Sequence, residues 1–160
     1  MSLRCKESCY SNISFVILDN NADIEGVLDS FQNELPSLRD NDEFRSKMAL
    51  KLAEYAHFLV VKKDDEIVGF VAVYANDVLT RTAYISFIAV NSMYRGKGVG
   101  KLLFDKACEL AIKNDMLYLK LEVNKSNNNA IAFYVKMGMH CIGEASQTSL
   151  YYIKKIGDQS

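Results

Sequence analysis

Apolar and polar positions change their spacing several times along the chain, and each change marks an element. Residues 13 to 18, ISFVIL, are an apolar run of strand length. Ile24, Val27, Leu28 and Phe31 recur at helical spacing over residues 23 to 33, and Met48, Leu52 and Tyr55 do so over 44 to 56. Two helices joined by a loop around Pro36, the single proline, are predicted. Residues 57 to 62 and 67 to 74 flank the charged turn KKDDE and read as a hairpin, and a third strand over residues 82 to 90 ends just before RGKGVG.

Beyond that loop, Val99, Leu102, Leu103, Ala107, Leu110 and Ala111 form an apolar stripe opposite Lys101, Asp105, Lys106, Glu109 and Lys113, which predicts an amphipathic helix. Residues 117 to 123 alternate, with Leu117, Leu119, Leu121 and Val123 on one face and Tyr118, Lys120 and Glu122 on the other. If this strand runs parallel to the one before the loop, the two and the helix form a right-handed β-helix-β unit. SNNNAIAFYVKMG predicts an Asn-capped helix with Ala130, Phe133, Tyr134 and Met137 on one stripe, stopped by Gly138. Residues 139 to 143 and 149 to 156 complete the order β-α-α-β-β-β-α-β-α-β-β. The fold class is α/β (α+β), a mixed sheet of about seven strands with helices on both faces.

A loop running into a helix N-terminus offers main-chain N–H groups and the positive end of the helix dipole, an anion site. In RGKGVG, Gly96, Gly98 and Gly100 let the backbone curl close to a phosphate, and Arg95, Lys97 and Lys101 add positive potential. The competing reading is a glycine-rich turn with solvated cations. A Walker A loop would need glycine at Arg95 and serine or threonine at Leu102. The dinucleotide fingerprint would need a third glycine at Leu103, although Glu122 stands near the place of its ribose-binding acid.

Composition narrows the field further. With 160 residues, 49% apolar and 24% charged, the chain is expected to form one domain, residues 1–160, without disulfides or metals. A net charge of −1 supplies no field for a nucleic acid or an anionic membrane, so neither is an expected partner. No apolar run is long enough to cross a bilayer, and MSLRCKESCY lacks the apolar centre of a signal peptide; a cytoplasmic protein is expected. Cys5, Cys9, Cys108 and Cys141 read as reduced thiols. Cys5 and Cys9 stand one helical turn apart, but His57 and His140 give them no ligand company, so no metal is expected.

IAVNSMYRGKGVGKLL and LEVNKSNNNAIAFYVKMGM together resemble the GCN5-related N-acetyltransferase (GNAT) family. Its signature is Arg or Gln, two residues, Gly, one residue, then Gly or Ala; Arg95, Gly98 and Gly100 fill it. Asn127, Ala130, Tyr134 and Gly138 match the second block, with Met139 where an aromatic residue is commoner. Residues 19 to 56 carry no such motif. The resemblance implies a mostly antiparallel sheet and an acetyl-CoA co-substrate. Backbone amides from Arg95 through Gly96, Lys97, Gly98, Val99 and Gly100 to Lys101 would hold the pyrophosphate. The splayed strand at Ile88, Ala89 and Val90 would pair with the pantetheine, and Asn127 and Tyr134 would complete the cofactor site.

Acetyl transfer to an amine needs a neutral amine, a held carbonyl and a proton for the departing thiolate. By the same resemblance, Ile88 N–H supports the oxyanion, worth about 3 kcal/mol, and Tyr134 is the general acid. The other reading of Tyr134 is a core aromatic. The strand TAYISFIAV lacks the glutamate that some relatives carry there and has Tyr84 and Ser86 instead. Glu122 is the substitute base, twelve residues before Tyr134 as in relatives that acetylate protein N-termini; a solvated Glu122, with water as base, is the alternative. Neither Cys108 nor Cys141 reads as an activated thiol, so direct attack in a ternary complex is expected. The acceptor would be chosen by the loop around Pro36 and by residues 75 to 81. A small molecule or amino sugar is preferred over a protein terminus or lysine, and a silent CoA-binding module is the rival. A homodimer is open.

Overall fold

The computed structural model describes residues 12–158. The first part of the chain contains β1 (Ile13–Leu18), α1 (Asn21–Ser30), a 3-10 turn at Pro36–Leu38, α2 (Asp42–Tyr55), β2 (His57–Lys63) and β3 (Glu66–Tyr74). Then follow β4 (Thr82–Val90), a 3-10 turn at Ser92–Tyr94, α3 (Val99–Lys113), β5 (Tyr118–Asn124), α4 (Asn128–Lys136), β6 (His140–Glu144) and β7 (Ser149–Lys155). The predicted order of elements holds throughout. The seven strands form one sheet in the order β1-β2-β3-β4-β5-β7-β6. β1–β2, β5–β7 and β7–β6 are antiparallel, whereas β4–β5 is parallel, as the intervening helix α3 requires. No helix among the described residues is long and apolar enough to cross a membrane.

The chain divides into two compact units. The first runs to Ala72 and resumes over Phe87–Leu103. Its core holds Ile24, Leu28, Leu38, Leu52, Phe58, Val60 and Phe70, all fully buried. Phe70 stacks on Phe58 at 5.0 Å between centroids and meets Phe31 edge-on at 5.2 Å. α1 ends at Ser30 rather than near Asn33: Phe31 already leaves helical geometry, and Pro36 holds Leu35 extended. On α2 the inward stripe differs from the apolar pattern. Tyr55 is exposed, and Arg45 is buried with Ala49 and Leu52. The Arg45 guanidinium bonds Asp29, Asp42 and, at 2.6 Å, the Leu38 carbonyl, so a cation ties together α1, the 3-10 turn and α2. Satisfied donors explain why arginine can occupy a position that hydrophobic spacing assigns to an apolar residue.

The second unit comprises Val73–Ser86 and the chain from Phe104 onward. Leu119, Leu121 and Val123 are buried on the inward face of β5, as the alternation predicts. Phe104 is fully buried as well, although the α3 stripe read from sequence omitted it. Phe104 meets Phe133 of α4 edge-on at 6.4 Å, and Lys154 lies over its ring at 5.5 Å. At the outer edge of the sheet, β6 is exposed along its whole length, and its register shifts between Cys141 and Gly143.

Candidate active site

In the first unit the chain leaves β4 under close control. The Asn91 N–H donates to the Val68 carbonyl at 2.8 Å, and the Asn91 side chain accepts from the Met93 N–H at 2.9 Å, which turns the backbone into the 3-10 segment. The Tyr94 hydroxyl donates to Glu66 Oε2 at 3.1 Å, and that bond leads the causes holding the phenol above its ordinary pKa. Lys63 and Lys97 lie over the Tyr94 ring at 5.9 and 5.3 Å. Lys97, expected as a rim cation, is thus partly occupied as a fastener of the loop.

Gly96 and Gly98 have φ of +76° and +85°, the left-handed region in which side chains are strained. The ladder of α3 opens with Leu102 N–H donating to the Gly98 carbonyl at 3.2 Å, so the Val99 and Gly100 amides lie ahead of it at the positive end of the dipole. Arg95 and Lys101 are exposed beside them. Gly69 on β3 seats the helix: a Cβ there would stand 2.9 Å from both the Ala89 carbonyl and Leu103 Cδ1, and 3.2 Å from Val99 Cγ1. Sequence reading passed over Gly69, yet a glycine inside IVGFVAV is the usual sign of such a close approach.

The paired residues of the β4–β5 ladder are Thr82 to Tyr84 with Tyr118 to Lys120. Ile88, Ala89 and Val90 lie further along β4, in the unit that holds the loop.

Glu122, Asn127 and Tyr134 belong to the second unit. Asn127 caps α4, its Oδ1 accepting from the Ala130 N–H at 3.2 Å, so its side chain has a structural duty. Tyr134 is 9% exposed and packs edge-on against Phe133 at 5.5 Å. Burial pushes its phenol up to about 12, which keeps it protonated and able to donate near neutral pH.

Glu122 is exposed, yet two hydroxyls hold it. Ser149 of β7, itself buried, donates to Glu122 Oε1, and Tyr84 of β4 also hydrogen-bonds the carboxylate. The Tyr84 phenol is pushed up to about 12, first by burial, then by the charges of Glu122 and Tyr151 and by that hydrogen bond. The described partners of Glu122 are therefore Tyr84 and Ser149 rather than Tyr134. Sequence singled out Glu122 and noted Tyr84; Ser149 emerges only from the β5–β7 register.

Cys108 is half-buried, and its thiol is raised mainly by burial, which disfavours a nucleophilic thiolate. Cys141 is exposed on β6, and Cys5 and Cys9 lie outside the described residues.

The sequence profile of the acetyltransferase (GNAT) family matches residues 24–139, and the chain belongs to that family. A Bacillus subtilis protein provisionally named as a ribosomal protein bS18-alanine N-acetyltransferase is 39% identical over 85 residues, 53% of this chain and 54% of its own. The L-2,4-diaminobutyric acid acetyltransferase of Marinococcus halophilus is 29% identical over 79 residues, 49% of this chain and 46% of its own. The chain spans about half the length of these curated relatives. A crystal structure from Bacillus anthracis, provisionally named a streptothricin acetyltransferase and solved in complex with acetyl coenzyme A, is 26% identical with a TM-score of 0.57, covering 63% of this chain and 62% of its own.

Proposed function

We propose that this chain is an acetyl-CoA-dependent N-acetyltransferase that acylates a primary amine directly, without a covalent enzyme intermediate. The observation that carries the reading is the loop from Arg95 to Lys101, where two left-handed glycines lead into the opening turn of α3. That geometry suits a pyrophosphate, because main-chain N–H groups and the helix dipole meet at one point. The relative solved with acetyl coenzyme A and the family membership support the same carrier.

In this reading Arg95, Gly96, Lys97, Gly98, Val99, Gly100 and Lys101 hold the pyrophosphate, and Ile88, Ala89 and Val90 present strand backbone to the pantetheine. Asn127 and Tyr134 border the cofactor from α4. The amine nitrogen attacks the thioester carbonyl; the C–N bond forms and the C–S bond breaks. Glu122, steadied by Ser149 and Tyr84, takes the proton lost by the amine. Tyr134, kept protonated by burial, supplies a proton to the departing sulfur.

A free small-molecule acceptor, the class expected from the sequence with an amino sugar as one form of it, gains support from the relative named for a diamino acid. The relative named for the alanine of a ribosomal protein favours a protein N-terminus as the second reading. Incubation with acetyl-CoA and a panel of amines, peptides included, should release free thiol with at least one acceptor. Acetyl-CoA that binds calorimetrically but yields no thiol with any amine would leave a binding module instead, and the absence of binding would remove the reading altogether.

A further inference from the structure

The second unit contains a cavity of about 390 Å³ to which the reaction scheme above assigns no ligand. Its lining includes Tyr74, Asp77, Thr80, Tyr84, Lys120 and Ile153. Two residues of opposite charge, Asp77 and Lys120, therefore line one small space.

Asp77 is fixed in position. Its carboxylate accepts from the Thr80 hydroxyl at 2.6 Å and the Thr80 N–H at 3.1 Å, and these bonds hold its pKa below the ordinary carboxylate range, so it is ionised near neutral pH. Lys120 is fixed as well: its ammonium lies 4.0 Å above the Tyr151 ring. No carboxylate among the described residues forms an ion pair with it. An ammonium resting on an aromatic face retains strong donors toward the cavity.

Glu122 follows Lys120 by two residues, on the same face of β5, roughly 7 Å along the strand. Tyr84 lines the cavity and hydrogen-bonds Glu122, so one phenol joins the cavity to the carboxylate assigned as base.

We infer that this cavity binds the head of a free α-amino acid bearing a second amine on its side chain, with Lys120 on the carboxylate, Asp77 on the α-ammonium, and the side-chain amine directed to Glu122. The inference rests on the acetyltransferase reading and adds the class of acceptor. A plain diamine leaves Lys120 unmatched, and so does an amino sugar, which carries no anion. A bare α-amino acid satisfies both charges but has no amine left to reach Glu122, since a side chain of two to three methylenes is needed to cover the interval. The acetyl group then goes to the side-chain nitrogen: its C–N bond forms as the thioester C–S bond breaks, and its proton passes to Glu122.

The test compares L-ornithine and L-2,4-diaminobutyrate with putrescine, which lacks the carboxylate, and with glucosamine, each with acetyl-CoA and with thiol release as the readout. The two diamino acids should give kcat/KM about tenfold to a hundredfold above putrescine, the range of one charge-assisted contact. Lys120→Met should erase that advantage by raising KM for ornithine while leaving putrescine unchanged, and Lys120→Arg should restore it. Product analysis should find the acetyl group on the side-chain nitrogen. Equal rates for ornithine and putrescine, or a preference for glucosamine, would overturn the inference while leaving the acetyltransferase intact. Calorimetric titration with L-ornithine, with and without CoA, covers the remaining case. Heat abolished by Lys120→Met upholds the cavity's assignment even if no acetyl transfer occurs; no heat under either condition sinks it.

Discussion

The Ser149 hydroxyl donates to Glu122 Oε1 as a diagonal neighbour on the β5–β7 ladder, where Glu122 itself faces Tyr151. Together with Tyr84 it fixes the orientation of a carboxylate that is otherwise exposed to solvent. Glu122→Gln should lower kcat/KM roughly a hundredfold if the carboxylate accepts the amine proton. Ser149→Ala should lower kcat about tenfold with KM nearly constant, since it removes one restraint rather than the base. Steady-state kinetics decide the matter, and a fully active Glu122→Gln enzyme would transfer the role to water.

Tyr134→Phe should cut kcat about a hundredfold and leave the Kd for acetyl-CoA within a factor of two of the parent. Calorimetry and thiol release on the same preparation separate the two quantities, and an unchanged rate would reduce Tyr134 to a packing residue.

The same phenol shapes the response to alkali. Its folded-state pKa, about 12, lies above the ordinary value of 10, so the protonated form is favoured by folding. That contribution is complete below pH 10 and is lost as the pH rises through about 12; two pKa steps correspond to about 3 kcal/mol. Urea midpoints measured from pH 8 to 12 should fall more steeply for the parent than for Tyr134→Phe, which has nothing to ionise there. Parallel curves would contradict the burial of this hydroxyl.

Gly98 has φ of +85°, and its carbonyl starts the helix ladder. Gly98→Val should raise the Kd for CoA about tenfold or more, because a β-branched residue shifts the backbone that the pyrophosphate would meet. A titration curve that superimposes on the parent's would show that the cradle lies elsewhere.

Gly69→Ala tests the seat beneath α3. Its Cβ would press the Ala89 carbonyl and Leu103, and an overpacked contact of this kind costs about 1–3 kcal/mol. Chemical denaturation should register that loss, and a loosened helix entrance should weaken CoA binding alongside it. An unaltered midpoint would mean that strand and helix move apart without penalty.

Much of the architecture was legible because its signals are local. The alternation from Leu117 to Val123 and the asparagine cap at residue 127 both depend on neighbours in sequence, and both elements formed as expected. Two short motifs located the loop and α4. Long-range relationships were not legible: Arg45 occupies an inward position because Asp29, Asp42 and the Leu38 carbonyl converge on it, and the helical spacing favoured Tyr55 instead. Ser149 reaches Glu122 through strand register, which composition and periodicity do not encode, and the cavity that Asp77 and Lys120 both line draws its residues from separate stretches of chain.

The irregular register between Cys141 and Gly143, where Gly143 takes φ of +127°, gives the border of the sheet a protective shape. A flat outermost strand with every residue exposed would offer an open row of hydrogen-bonding groups to any extended polypeptide. The twist imposed by this bulge breaks that row after a few residues. Straightening it, for instance by deleting one residue at the kink, should make the protein more prone to templated β-assembly.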